Sequence, residues 1–173
     1  MSTRLLKRNP EPAKTIARPQ VTVTQPKEEP AKPQPTPDAG VGGSSLDTMT
    51  AACATEMMNA ATSFHRLHLK VKGDGSYAAH KALGDLYEAL PGHADALIEG
   101  YQGAVERIVE CSHEEEYSKK VCNSVEDALS YIRELTSEVN ELQAMMPYSE
   151  IVNELDNVKS TLNSAKYKLK FLK

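Results

Sequence analysis

From residue 46 onward the chain repeats apolar side chains at steps of three and four, a period that helices satisfy and strands do not. Four runs carry it. The first is Leu46, Cys53, Met57, Ala60, Phe64, Leu67 and Val71, and the second is Leu83, Leu86, Leu90, Leu97 and Val105. The third is Val125, Leu129, Ile132, Leu135, Val139, Leu142 and Met146. The fourth is Ile151, Leu155, Val158, Leu162, Ala165, Leu169 and Leu172. Gly73-Asp74-Gly75 stops the first run and Ser76 can open the second. Pro147 ends the third, while Pro91 should kink the second helix without ending it. Ser44-x-x-Asp47 and Ser124-x-x-Asp127 read as capping boxes. After Gly100–Gly103 the pattern loosens, which predicts a crossover with a short helical piece around Cys111–Glu116. The expectation is an all-α domain over residues 45–173, a four-helix bundle with one long crossover connection.

Residues 1–44 are of another kind. They hold eight of the ten prolines, which remove backbone donors and forbid helix, and too few apolar side chains to collapse. They predict an extended, Pro-rich N-terminal arm that ends in a glycine-rich hinge at 40–45. The arm carries seven Lys or Arg against four acids, which leaves thirteen against twenty in the body. The formal charge of −4 therefore conceals a basic tail on an acidic domain. Arg4, Lys7, Arg8, Lys14 and Arg18 are the candidate contacts for DNA phosphates or for a protein groove.

The other bulk features exclude classes. Aromatics make up 5% with no Trp, so the core must be built from Leu, Ala, Val and Met, which favours helices over a sandwich. Three cysteines, Cys53, Cys111 and Cys122, without CxxC spacing argue against a disulfide scaffold or a zinc knuckle and suit a reducing compartment. No stretch reaches the ~18 apolar residues of a membrane span, and no signal-peptide core follows the N-terminus. The chain reads as soluble and not secreted. GxSxG, P-loop, HExxH and dinucleotide fingerprints are missing, so hydrolytic chemistry finds no support.

The chemistry-bearing residues fall between 64 and 103. His68 and His80 flank the glycine turn, and Asp95 and Glu99 follow at i,i+4 spacing; imidazole with carboxylate suits a divalent first-row metal such as iron. With His80 at zero, Gly84 lies near about 40°, Asp95 about 60°, Glu88 about 80° and Glu99 about 100° around the second helix. They share a face, yet His80 and Asp95 are roughly 22 Å apart along it. One subunit cannot bring both to one ion. A shared site needs a second copy running antiparallel alongside, provided the Pro91 kink is modest.

The pattern LHLKVKG, then six residues, His80, fourteen residues and DALIE resembles the core of the Dps proteins, the DNA-binding miniferritins. The correspondence runs without gaps for about 35 residues, and the four-helix layout extends it loosely over 45–173. The resemblance implies a ferritin-like bundle and a homo-oligomer built from dimers, a dodecamer if it is Dps-like. It also implies oxidation of Fe(II) by peroxide or oxygen with storage of the mineral. By position, His68 and His80 would act from one chain and Asp95 and Glu99 from its partner, as metal ligands and catalytic residues. The chain departs from the family at Gly84, where a carboxylate is usual, and at Leu69, where an aromatic is usual. Asp85 lies about 100° away from that position, whereas Glu88 could reach inward.

A second reading keeps the bundle without the enzyme. Dps-like proteins also occur in bacteriophage genomes, and a Pro-rich arm can tether a virion component to its partner. Location would then be on the virion rather than in the bacterial cytoplasm. A third is DNA compaction without ferroxidase activity. His65 and His93 read as polar surface or interface residues, His113–Glu116 as a solvated acidic patch, and the pairs Met57-Met58 and Met145-Met146 as core filler.

Overall fold

The computed structural model describes residues 45–111 and 120–172, and within them the chain is helix and loop with no strand. The helices are α1 (Ser45–His68), α2 (Ser76–Val105), α3 (Val125–Met145) and α4 (Ser149–Phe171). Each packs chiefly on two neighbours: α1 on α2 and α3, and α4 on the same two, so α1 and α4 stand on one diagonal. The apolar stripes close this arrangement. Met57, Phe64, Leu83, Leu86, Leu97, Ile132, Leu135, Leu155 and Leu162 have almost no exposure.

Leu67, Gly75, Ser124 and Leu169 line one cleft, which places the end of α1, the starts of α2 and α3 and the end of α4 at one end of the bundle. α2 and α3 thus begin at the same end, although α2 finishes ~45 Å away at the other. The connection after Val105 therefore has to travel the length of the bundle. Its two ends are fastened to α1. Arg107 reaches Asp47 near the start of α1, and the Ser63 hydroxyl donates to the Lys120 carbonyl (2.8 Å) and accepts from the Cys122 amide (3.0 Å).

Several expectations change in detail. α2 runs through Gly100 and Gly103 to Val105, so the crossover starts later than the glycines suggested. Its described parts, 106–111 and 120–124, contain no helix. Pro91 lies inside a continuous α2. Val105 is only partly buried, and Tyr101 takes the core position near that end. Met57 and Met146 are core residues but Met58 and Met145 are exposed, because adjacent residues point about 100° apart on a helix. The Ser124–Asp127 capping box is present in both directions, and its backbone donors hold the Asp127 carboxyl below the usual range. The N-terminal arm with Arg4, Lys7, Arg8, Lys14 and Arg18, Ser44, and the His113–Glu116 run lie outside the described residues. No helix among the described residues is long and apolar enough to cross a membrane.

Two polar clusters interrupt the apolar core. At the far end, buried Asp47 accepts from the Tyr101 hydroxyl (2.7 Å) and pairs with the Arg107 guanidinium at 2.9 and 2.7 Å. Between α1 and α3, buried Glu56 lies 3.7 Å from Lys120, whose ammonium also meets Glu134 at 2.6 Å and covers the Tyr131 ring. The buried Tyr131 hydroxyl has no partner in hydrogen-bond geometry among the described residues; burial first, and then the nearby Glu56 carboxylate, push its ionisation up. Burial, and then the charge of Glu56, pushes the Glu138 carboxyl up, against a smaller opposing effect of Lys120. Burial first, then Glu138 and Glu56, also pushes the Cys53 thiol to about 12.

Asp47→Ala should cost about 3 kcal/mol in urea denaturation, at the low end for a broken buried pair because the Arg107 side chain is 45% exposed. Glu138 binds its proton more tightly folded than unfolded. Its linked stability is therefore present at acid pH and lost as pH rises through the raised native value. Glu138→Gln should accordingly raise the urea midpoint at neutral pH and flatten this slope. An unchanged midpoint across that range would mean that Glu138 carries no strain.

Candidate metal site

α1 ends at His68, and after seven intervening residues α2 begins with Ser76. Gly73 (φ +88°) and Gly75 (φ +75°) adopt left-handed backbone that a side chain would disfavour, and they make the reversal tight. The turn brings His68 level with His80 one turn into α2. The two rings stack with centroids 3.7 Å apart and planes 23° apart. His68 Nδ1 donates to the carbonyl of His80 (2.8 Å), and His80 Nδ1 donates to the carbonyl of His68 (3.1 Å). A carbonyl can only accept, so the proton of each neutral ring must sit on Nδ1. The lone pair is then on Nε2, and neither Nε2 has a hydrogen-bond partner among the described residues. A metal-ligating imidazole is anchored in the same way, through its other nitrogen.

The stack also limits what the pair can hold. An imidazole binds a metal in the plane of its ring, ~2 Å from the nitrogen. Planes tilted by 23° and separated by 3.7 Å meet only about 9 Å away. As stacked, the rings cannot share one ion; each would serve its own. Among the described residues no three His, Cys, Asp or Glu side chains sit as a metal-binding group.

The remaining sequence candidates are distributed as follows. Gly84 is buried, and a Cβ built there would touch the His68 ring at 3.4 Å from Cε1 and 3.6 Å from Nδ1. A methyl group there would lie in ordinary van der Waals contact with the ring, so what the position lacks is a carboxylate. Asp95 and Glu99 are exposed on the same helix, with no hydrogen bond or ion pair among the described residues. Glu88 is exposed, and so does not reach into the bundle. Asp85 is held by Lys168 at 2.6 Å, which removes it from the site.

Sequence reasoning missed how far the aromatic surface extends. His65 stacks on Tyr87 at 4.0 Å with 15° between planes, and His68 meets the same ring edge-on at 5.1 Å. Partial burial, then Glu88, pushes the Tyr87 phenol up. The signal in the sequence was the i,i+3 spacing of His65 and His68, but nothing local places Tyr87 between helices. His93, a surface or interface histidine by sequence, bridges α2 to α4. Its Nδ1 lies 2.7 Å from Glu154 Oε1 and its Nε2 3.0 Å from Thr161 Oγ1, so both nitrogens are occupied away from the His68–His80 pair.

Gly84→Ala should be tolerated, because its Cβ meets only the edge of an imidazole. Removal of a helical glycine should then add about 0.5–1 kcal/mol of stability. Urea denaturation measures this, with the Nδ1–H proton resonances of His68 and His80 as the check on the clasp. Lost stability together with vanished resonances would mean that the contact is too tight to accept a methyl group.

No curated protein and no solved structure matches the chain significantly. A family model described as a family of unknown function, DUF5856, matches residues 68–169. That span starts at the first clasped histidine, contains Asp95 and Glu99, and covers more than half of the chain. The chain belongs to this family, DUF5856.

Proposed function

We propose that the protein is a Dps-like miniferritin, a ferritin-like bundle that pairs with a second copy, binds Fe(II) between the copies and oxidises it, storing iron and sparing DNA from oxidant. The observation that carries this reading is the reciprocal clasp, which leaves a bare Nε2 on both His68 and His80. Asp95 and Glu99, exposed and unengaged further along α2, are the carboxylates that an antiparallel second copy would bring to them. The long connection from the end of α2 to the start of α3 suits the ferritin-like layout. Peroxide accepts two electrons and each Fe(II) gives one, so turnover needs two ions. Two rings that cannot share an ion suit such a pair. Gly84 leaves the His80 position one carboxylate short, and iron there should be held more weakly.

Mixing the protein with Fe(II) and peroxide should produce growth of ferric absorbance faster than in buffer, from an assembly of dimers, twelve copies if it closes as Dps does. The Asp95→Ala, Glu99→Ala double variant should lose at least about tenfold in rate while still assembling. An unchanged rate in that variant sinks the site.

Gly84 also favours a second reading, a bundle kept for binding alone. A wild-type rate equal to that of buffer would select it. The N-terminal arm would then tether the bundle to a protein, as in a virion. If DNA retention is salt-sensitive and disappears with residues 1–44, the arm binds DNA instead.

A further inference from the structure

We propose that His65 and His68 form a nitrogen-donor chelate, so that this face takes a divalent cation with high affinity for imidazole, such as Zn(II) or Cu(II). The inference rests on His68 being a metal ligand, as in the proposed function, but not on iron oxidation. His65 and His68 stand at i,i+3 on the last turns of α1, a spacing from which helical side chains bind a common metal. Their planes are 59° apart and their centroids 6.1 Å apart. Two imidazoles at a tetrahedral angle about one metal have centroids roughly 5 Å apart, so a closure of about 1 Å suffices. The His68–His80 stack, with planes only 23° apart, has no comparable route to a shared ion.

Their surroundings prepare the two rings for different parts. His68 is fixed by its Nδ1 bond to the His80 carbonyl, which leaves Nε2 as its donor. His65 is exposed, has no hydrogen bond at either ring nitrogen among the described residues, and is held over the α1–α2 surface only by its stack on Tyr87. It is free to make the small rotation. Where a carboxylate at position 84 would add a hard oxygen donor beside His68, the chain has glycine, and the two donors of the chelate are nitrogens. Such a set favours Zn(II) and Cu(II) over Fe(II) and Mn(II). Water, or carboxylates of a second copy, would complete the coordination.

The test titrates the full-length protein with Zn(II), and with Co(II) as a visible reporter, in wild type, His65→Ala and His68→Ala. Circular dichroism confirms folding, and His65→Ala, at an exposed residue, leaves the His68–His80 clasp intact. His65→Ala and His68→Ala should each weaken Zn(II) binding at least about tenfold and abolish the Co(II) absorption. Wild-type affinity in His65→Ala, or binding that survives His68→Ala, overturns the chelate. Iron oxidation without any Zn(II) binding overturns this inference alone. Neither oxidation nor binding overturns the proposed function with it.

Discussion

The candidate site depends on the reversal at Gly73–Gly75, which folds α2 back along α1 within seven residues. Positive φ at two glycines lets the chain turn without the strain that side chains would add. The consequence is geometric. The last residue of α1 and the fifth of α2 come into stacking contact, and each ring reaches the other's backbone. His80 also supplies a donor to the carbonyl of His68, one of the acceptors that a helix C-terminus leaves without an intrahelical partner. The clasp therefore stabilises the turn that creates it.

The opposite end of the bundle is secured by charge instead of stacking. Asp47, buried at the start of α1, gathers Tyr101 from α2 and Arg107 from the outgoing connection, so three segments meet on one carboxylate. Ser63 secures the incoming end of the same connection through its amide and carbonyl partners. A connection that leaves at one end and returns at the other needs such anchors, because it has no helical hydrogen bonds of its own over 106–111 and 120–124.

The same two hydrogen bonds serve structure and chemistry. Fixing Nδ1 on a carbonyl rigidifies the hairpin, and it also selects the tautomer with Nε2 bare. Gly84 belongs to this compromise. It withholds an oxygen donor directly beside the His68 ring, where a Cβ would lie 3.4 Å from Cε1. Tyr87 lies on the other side against both His65 and His68, and its stack holds the exposed His65 ring over this surface.

Four helices, their turns, most of the core and the shared face of His80, Gly84, Asp95 and Glu99 are legible in the order of residues alone. These follow from apolar period, capping residues and 100° steps, all properties of the local backbone. The residue spacing also implies that Asp95 and Glu99 lie too far along α2 to join the histidines of their own chain. Packing between helices settles the rest. Tyr101 rather than Val105 fills the core at the end of α2, Met58 and Met145 turn outward, and Asp85 goes to Lys168. The stacking of His68 on His80, its tautomers and the position of Tyr87 were equally invisible in the chain. Each depends on the distance between two helices, and no residue spacing encodes that distance until packing sets it.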